Sequence, residues 1–203
     1  MAESAPKRAK VAEDFDEELV RAVVHTERAV LDDKWITDFL VRSPVCTVAT
    51  AAADGQPYVH PRNFAYDSTS HSILLHGGPK GRFWDHVLDN PKVCVNVAEM
   101  GKIKQPRPDQ NESAFGVEFS SATIFGKVEV VDDPEEKLLC LRRITDHYSG
   151  GKKRGTDFKP LEISDAPDIK RTVVYRIKID GWSGKKTGPV NDEGAVPFVP
   201  PVM

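Results

Sequence analysis

The run His76-Gly77-Gly78-Pro79-Lys80-Gly81-Arg82 gathers residue types that suit an anionic ligand. Glycine lets the backbone come close to a bound group. A helix starting just after the run would present free N–H groups and the positive end of its dipole. Lys80 and Arg82 add charge, and a guanidinium can grip a phosphate through two parallel bonds. The run is not a Walker loop, because G-x-x-x-x-G-K-[ST] is absent, and it is not a Rossmann G-x-G-x-x-G. Composition leaves two readings open, a phosphate site and an ordinary strand-to-helix turn, of which the turn is the commoner.

Other chemistry is largely excluded. Histidines 25, 60, 71, 76, 86 and 147 show no H-E-x-x-H or similar spacing, so no metal site is expected. No G-x-S-x-G or Cys/His motif suggests acyl transfer. Cys46, Cys94 and Cys140 are far apart, odd in number and without a C-x-x-C, which argues against a disulfide framework or a zinc site. They read as small buried hydrophobes in a reducing, cytoplasmic compartment. Trp182-Ser183-Gly184-Lys185-Lys186 sets an indole beside cations. Trp182 either closes a barrel or brings an aromatic wall to a ligand, and the residues alone do not choose.

The elements that must position these residues are mostly strands. Residues 17–30 and 34–40 have helix-like patterns, with Asp33 as the cap of the second and Trp35, Phe39 and Leu40 on one face. Strands are predicted over 45–51, 58–66, 72–76, 92–98, 115–131 and 171–180. Asp54-Gly55 signals a hairpin. Residues 81–89 read as a short helix, and Asp133-Pro134-Glu135-Glu136 as a strong helix start. In the 115–131 strand Phe115, Val117, Phe119, Ser121, Thr123 and Phe125 share one face. The apolar phase then slips beside Gly126, which predicts a bulge. Residues 101–113 and 149–157 read as loops, and the segment from Trp182 onward, rich in Gly and Pro, as irregular. Six strands with short turns and occasional helices predict a mainly β fold, a curved antiparallel sheet closing as a small barrel.

The chain has 203 residues, with 28 Lys+Arg against 31 Asp+Glu. That near balance excludes bulk attraction to nucleic acid or to an anionic membrane. No apolar run approaches the roughly 18–20 residues that span a bilayer, and the N-terminus lacks a secretory h-region. Hydrophobic residues are 39% of the chain, below the usual share of about 45–50%, which predicts polar tails or long loops around a compact centre. One domain is expected over 15–190, between a polar tail at 1–14 and a C-terminal tail at 191–203. The basic stretch Pro6–Lys10 is read as part of the solvated tail rather than as an import signal.

The order of short motifs resembles a known family. It comprises Asp54-Gly55-Gln56-Pro57-Tyr58-Val59 with Pro61-Arg62-Asn63-Phe64-Ala65-Tyr66, then Leu75-His76-Gly77 and Gly81-Arg82. Phe119-Ser120-Ser121, Phe125-Gly126 and Val131–Lys137 follow, and last come Lys170–Val173 and Trp182–Lys185. Over roughly 33–190 this is similar to the pyridoxamine 5′-phosphate oxidase-like flavoproteins, nearest to the branch of the 5-nitroimidazole resistance proteins.

The resemblance implies a six-stranded split β-barrel and a homodimer with FMN at the subunit interface. His60, Pro61, Arg62 and Asn63 would lie along the flavin ring, and His76 and Gly77 would continue that wall. Lys80, Gly81 and Arg82 would hold the FMN phosphate. Ser121, with Trp182 and Lys185 from the partner subunit, would complete the pocket. His76 matches the residue held to be catalytic in the nitroimidazole branch. FMN would do the redox chemistry while the protein orients it. Arg62, Lys80 and Lys185 would favour the anionic reduced flavin, which would pass electrons or hydride to a small acceptor such as a nitro compound or a quinone. A non-catalytic flavin or haem binder on the same barrel is the alternative, with His76 or His60 as the haem ligand. Two departures stand out. Many relatives have Tyr-Arg-Ser where this chain has Phe119-Ser120-Ser121, and a C-terminal Arg-containing substrate motif is missing. Both argue against vitamin B6 oxidation.

Overall fold

The computed structural model describes residues 26–162, 166–188 and 196–197. The expected 1–14 tail and most of the expected 17–30 helix and 191–203 tail lie outside these residues. The strands are β1 (Ala29–Val30), β2 (Cys46–Ala51), β3 (Pro57–Arg62), β4 (Ala65–Asp67), β5 (Ser72–Gly77), β6 (Lys92–Lys104), β7 (Gly116–Val131) and β8 (Val173–Lys186). The helices are α1 (Asp33–Arg42), α2 (Arg82–Asp89), α3 (Pro134–Tyr148) and α4 (Ala166–Arg171).

The strands form one antiparallel sheet in the order β3-β2-β6-β7-β8-β5-β4, with β1 also paired to β8. The mainly β, split-barrel class therefore stands, but with eight strands rather than six. The path is open. Its two edges, β3 and β4, are consecutive in the chain and joined only by Asn63 and Phe64.

That junction corrects the single strand expected over 58–66. The backbone of Phe64 leaves the ladder because α3 supplies its partner. The Phe64 N–H donates to the Tyr148 hydroxyl at 2.9 Å. That hydroxyl in turn lies 2.6 Å from the Pro44 carbonyl oxygen and 3.0 Å from that of Phe64. Phe64 itself is fully buried, so an unpartnered amide there would be expensive.

Side chains alternate as a half-buried sheet requires. Cys46 and Val48 of β2 and Val93, Val95 and Val97 of β6 point into the main core, which they share with Ile36, Phe39 and Leu40 of α1 and Phe83 and Val87 of α2. In β8, Val173, Tyr175 and Ile177 face that core as expected. A second cluster joins Leu74 and Val174 to Cys140 and Ile144 of α3. β5 is thus covered on both faces, and its sequence reads as a continuous apolar run.

Several local readings shift. Asp32, not Asp33, caps α1, accepting the Lys34 N–H at 2.9 Å. Asp33 is freed for another contact, described below. Residues 29–30 are a strand, not the end of a helix. β6 continues through 101–104 and β8 through 182–186, so neither stretch is a loop. α4 occupies residues where no element was expected, apart from Arg171, which was expected to open the last strand; that strand starts at Val173.

On β7 the buried face is Ala122, Ile124 and Val128, opposite to the face of Phe119, Ser121, Thr123 and Phe125. The sequence carries apolar residues on both phases, and only the helices decide which phase is covered. The irregularity does lie at Gly126, but the extra residue is Asp180 on β8, between the pairs Phe125↔Gly181 and Gly126↔Ile179. A Cβ on Gly126 would stand 2.2 Å from the Lys178 carbonyl oxygen, so only glycine fits this crossing.

Candidate functional site

Edge strand β3 turns Tyr58, His60 and Arg62 inward on alternate positions, and α2 packs over them. His60 stacks on Tyr58, with ring centroids 5.1 Å apart, and meets Phe83 of α2 edge-on at 5.2 Å. The Arg62 guanidinium lies over the Phe83 ring at 4.5 Å and over the Tyr175 ring at 5.5 Å. It donates to the His76 carbonyl at 2.6 Å. Arg82 sits over Tyr58 at 5.3 Å. One contiguous aromatic and cationic wall therefore joins His60, Arg62, His76 and Arg82. Tyr58, Phe83 and Tyr175 are its missed members, because nothing local marks a tyrosine or phenylalanine as wall rather than core.

Two polar groups of this wall are unanswered. His60 Nε2 is buried and has no hydrogen-bond partner. Arg62 is half-buried and has no acidic partner among the described residues. Burial, then the charge of Arg62, lowers the pKa of both His60 and His76 below the ordinary 6.5. Both rings are neutral near pH 7. Burial lowers the Arg62 pKa too, opposed by Tyr175, Cys46 and Tyr58. Burial pushes the Cys46 thiol up to about 12, so it is inert.

Gly77 lets the Arg62 guanidinium lie close against the end of β5. A Cβ there would stand 2.8 Å from the guanidinium. Gly81 has φ +97 and caps α2 without any side-chain hydrogen bond, and a Cβ on it or on Gly78 would meet nothing within 4 Å. The first turn of α2 thus opens onto free space beside exposed Lys80 and Arg82. Orphaned His60 Nε2, Arg62 without an acidic partner among the described residues and this open helix start together fit an anionic, hydrogen-bonding cofactor such as FMN.

The other predicted residues lie elsewhere in the chain. Pro61, Ser121 and Lys185 are on the outer face of the sheet, away from Arg62 and His60. Ser121 pairs with Lys185, and its hydroxyl donates to the Lys185 carbonyl at 3.4 Å. Trp182 donates its indole N–H to Asp33 at 2.9 Å and meets His71 edge-on at 4.6 Å. Asn63 lies at the junction between β3 and β4. The single chain therefore brings together His60, Arg62, His76, Gly77 and Arg82, with Lys80 and Gly81 adjoining. It does not bring Ser121, Trp182 or Lys185 to them.

The family model described as pyridoxamine 5′-phosphate oxidase matches residues 32–186. Among solved structures, one relative is a candidate 5-nitroimidazole antibiotic resistance protein from Bacteroides thetaiotaomicron. It is 26% identical with a TM-score of 0.63, over 78% of this chain and 86% of that one. The flavocytochrome Anf3 from Azotobacter vinelandii matches at 24% identity and TM-score 0.70, over 90% and 86%. An FAD and heme binding protein from Mycobacterium smegmatis matches at 21% and 0.70, over 87% and 88%. The last two bear on the fold alone. No curated protein matches the sequence.

Proposed function

The chain belongs to the pyridoxamine 5′-phosphate oxidase family, and from that membership we propose that it binds FMN and acts as an oxidoreductase. Bound flavin supplies the redox chemistry, delivering electrons to a small acceptor. A nitro compound is the sharpest version, supported by the likeness to the Bacteroides thetaiotaomicron protein. The observation that carries the reading is Arg62, a half-buried cation with an aromatic ring beneath it and no acidic partner among the described residues. Such a charge calls for an anion.

The roles follow from position. Lys80 and Arg82 hold the phosphate at the start of α2. His60 offers Nε2 to a polar edge of the ring, and Arg62 favours its anionic state. His76, the candidate catalytic residue, keeps a neutral ring able to give or take a proton. A homodimer completes the site, with Ser121, Trp182 and Lys185 supplied by the second copy. Its support is the outer sheet face, where small Ala49, Ser121 and Thr123 share a side with apolar Val59, which is 56% exposed. A cytoplasmic setting goes with it, supported by the three free thiols.

A haem-binding role is the second reading, favoured by the His76 ring, which has no hydrogen-bond partner among the described residues. The absorption spectrum of the purified protein, with identification of the cofactor released on denaturation, separates these outcomes and also FMN from FAD. Protein that takes up no FMN at micromolar concentration refutes the first reading. Arg82→Ala should weaken FMN binding by about tenfold or more, the worth of a charged hydrogen bond. Unchanged affinity would remove the phosphate assignment.

A further inference from the structure

Beside the wall lies a pocket of about 480 Å³, within the range typical of small-molecule sites. His76 at the end of β5, Ile144 and Tyr148 of α3, and Ser149, Lys152 and Phe158 of the following loop line it. His76 is thus shared. Its carbonyl accepts from Arg62, and the same residue lines the pocket.

The lining is of two kinds. Ile144, Tyr148 and Phe158 give apolar and aromatic surface. Each free polar group can donate a hydrogen bond, and Lys152 can only donate. Ser149 Oγ, Lys152 Nζ and the His76 ring have no hydrogen-bond or ion-pair partner among the described residues. The remaining hydroxyls are committed. Tyr148 serves Phe64 and Pro44, and Thr145 donates to the Leu141 carbonyl at 2.9 Å. A pocket with aromatic walls and surplus donors, one of them a cation, suits a flat ligand bearing a negative group.

The loop that carries Lys152 is built rather than loose. Gly150 (φ 59) and Gly151 (φ 85) make its turn. The Lys152 N–H donates to the Ser149 carbonyl at 3.1 Å. Arg154 ties the base to the Asp146 carboxylate at 2.5 Å and to the Arg142 carbonyl at 3.0 Å. The Lys153 N–H donates to Asp157 at 2.7 Å. These bonds fix where the lysine stem leaves the backbone.

We propose that this pocket is the acceptor site and that Lys152 and Ser149 select flat aromatic acceptors carrying a carboxylate. The word acceptor rests on the flavin reading. The preference for a carboxylate rests only on the pocket.

The test compares 4-nitrobenzoate with nitrobenzene, which share a ring and a nitro group and differ by one charge. Titration calorimetry on the protein as purified gives both affinities, at low and at raised salt. The wild type should bind 4-nitrobenzoate roughly tenfold more tightly, the scale of one charged hydrogen bond. Raised salt should shrink that preference. Lys152→Ala should abolish it and leave nitrobenzene affinity and the melting temperature unchanged, because Lys152 is exposed. Equal affinities in the wild type, binding of neither probe, or a preference that survives Lys152→Ala overturns the proposal. Flavin content measured on the same samples keeps the two readings apart. Flavin without the preference sinks the pocket proposal alone, and the preference in protein that takes up no added FMN sinks the flavin reading alone.

Discussion

Replacing Arg62 by methionine removes the charge of the wall while keeping an unbranched side chain over Phe83. Three terms change in the ligand-free protein. The charged hydrogen bond to the His76 carbonyl is lost, about 1.5–3 kcal/mol. The cation–π contact with Phe83 is lost, about 0.5–2 kcal/mol, and a thioether on the ring returns about 0.3–1.5 kcal/mol. Against these losses, a half-buried cation without an acidic partner no longer has to be desolvated, a penalty of a few kcal/mol. The balance is near zero, so the melting temperature of the ligand-free variant should move by only a few degrees. FMN affinity has no such offset and should fall by about ten- to a hundredfold. Fluorescence titration of FMN and thermal melts of ligand-free protein measure the two quantities. Affinity within twofold of wild type would refute the reasoning. So would a ligand-free variant destabilised by more than about 3 kcal/mol, which would make Arg62 a structural residue. The same variant should raise the pKa of His60 and His76, which Arg62 helps to depress, in an NMR titration. Histidines held below 6.5 in the fold bind fewer protons than in the unfolded chain. Their contribution is present above about pH 6.5 and is lost as pH falls through the folded value. Wild-type stability should therefore decline on acidification below pH 6.5, and Arg62→Met should decline less.

Tyr148→Phe leaves the buried Phe64 N–H without its acceptor and should cost about 1–3 kcal/mol in urea unfolding. Gly126→Ala forces a methyl against the Lys178 carbonyl and should cost about 3 kcal/mol or more, or prevent soluble expression, whereas Gly78→Ala, which meets nothing, should fold normally. Thr123→Arg on the outer sheet face should convert a dimer to a monomer in sedimentation with little loss of secondary structure, and a wild type that is already monomeric would remove the dimer from the proposal.

What could be read in advance was local. The Asp54-Gly55 hairpin, the Asp133-Pro134 start of α3 and the alternation of Val173, Tyr175 and Ile177 each depend on neighbours in sequence, and each is present. The faces of β7 could not be read, because apolar residues occupy both phases and α1 decides which one is covered. The bulge was signalled by Gly126 but belongs to Asp180, whose displacement depends on strand pairing. For the site, the run from His76 to Arg82 was visible as chemistry, and motif order assigned His60 and Arg62. Lys152 falls in a stretch that reads only as a loop, and nothing near Tyr148 in sequence marks its hydroxyl. Their roles arise only where α3 meets the β3–β4 junction, far away in sequence.

That junction also bears on biosynthesis. The residue that clamps Phe64 is 84 positions downstream of it, and β5 is held by β8, which begins at Val173. A chain emerging from the ribosome at roughly 5–20 residues per second exposes His60, Arg62 and the glycine run several seconds before either support exists. During that interval the wall has no fixed shape, and a cofactor has nothing to recognise. On the flavin reading, loading waits for β8 to be complete, and a truncation anywhere before the end of β8 should yield protein that takes up no FMN and is unstable.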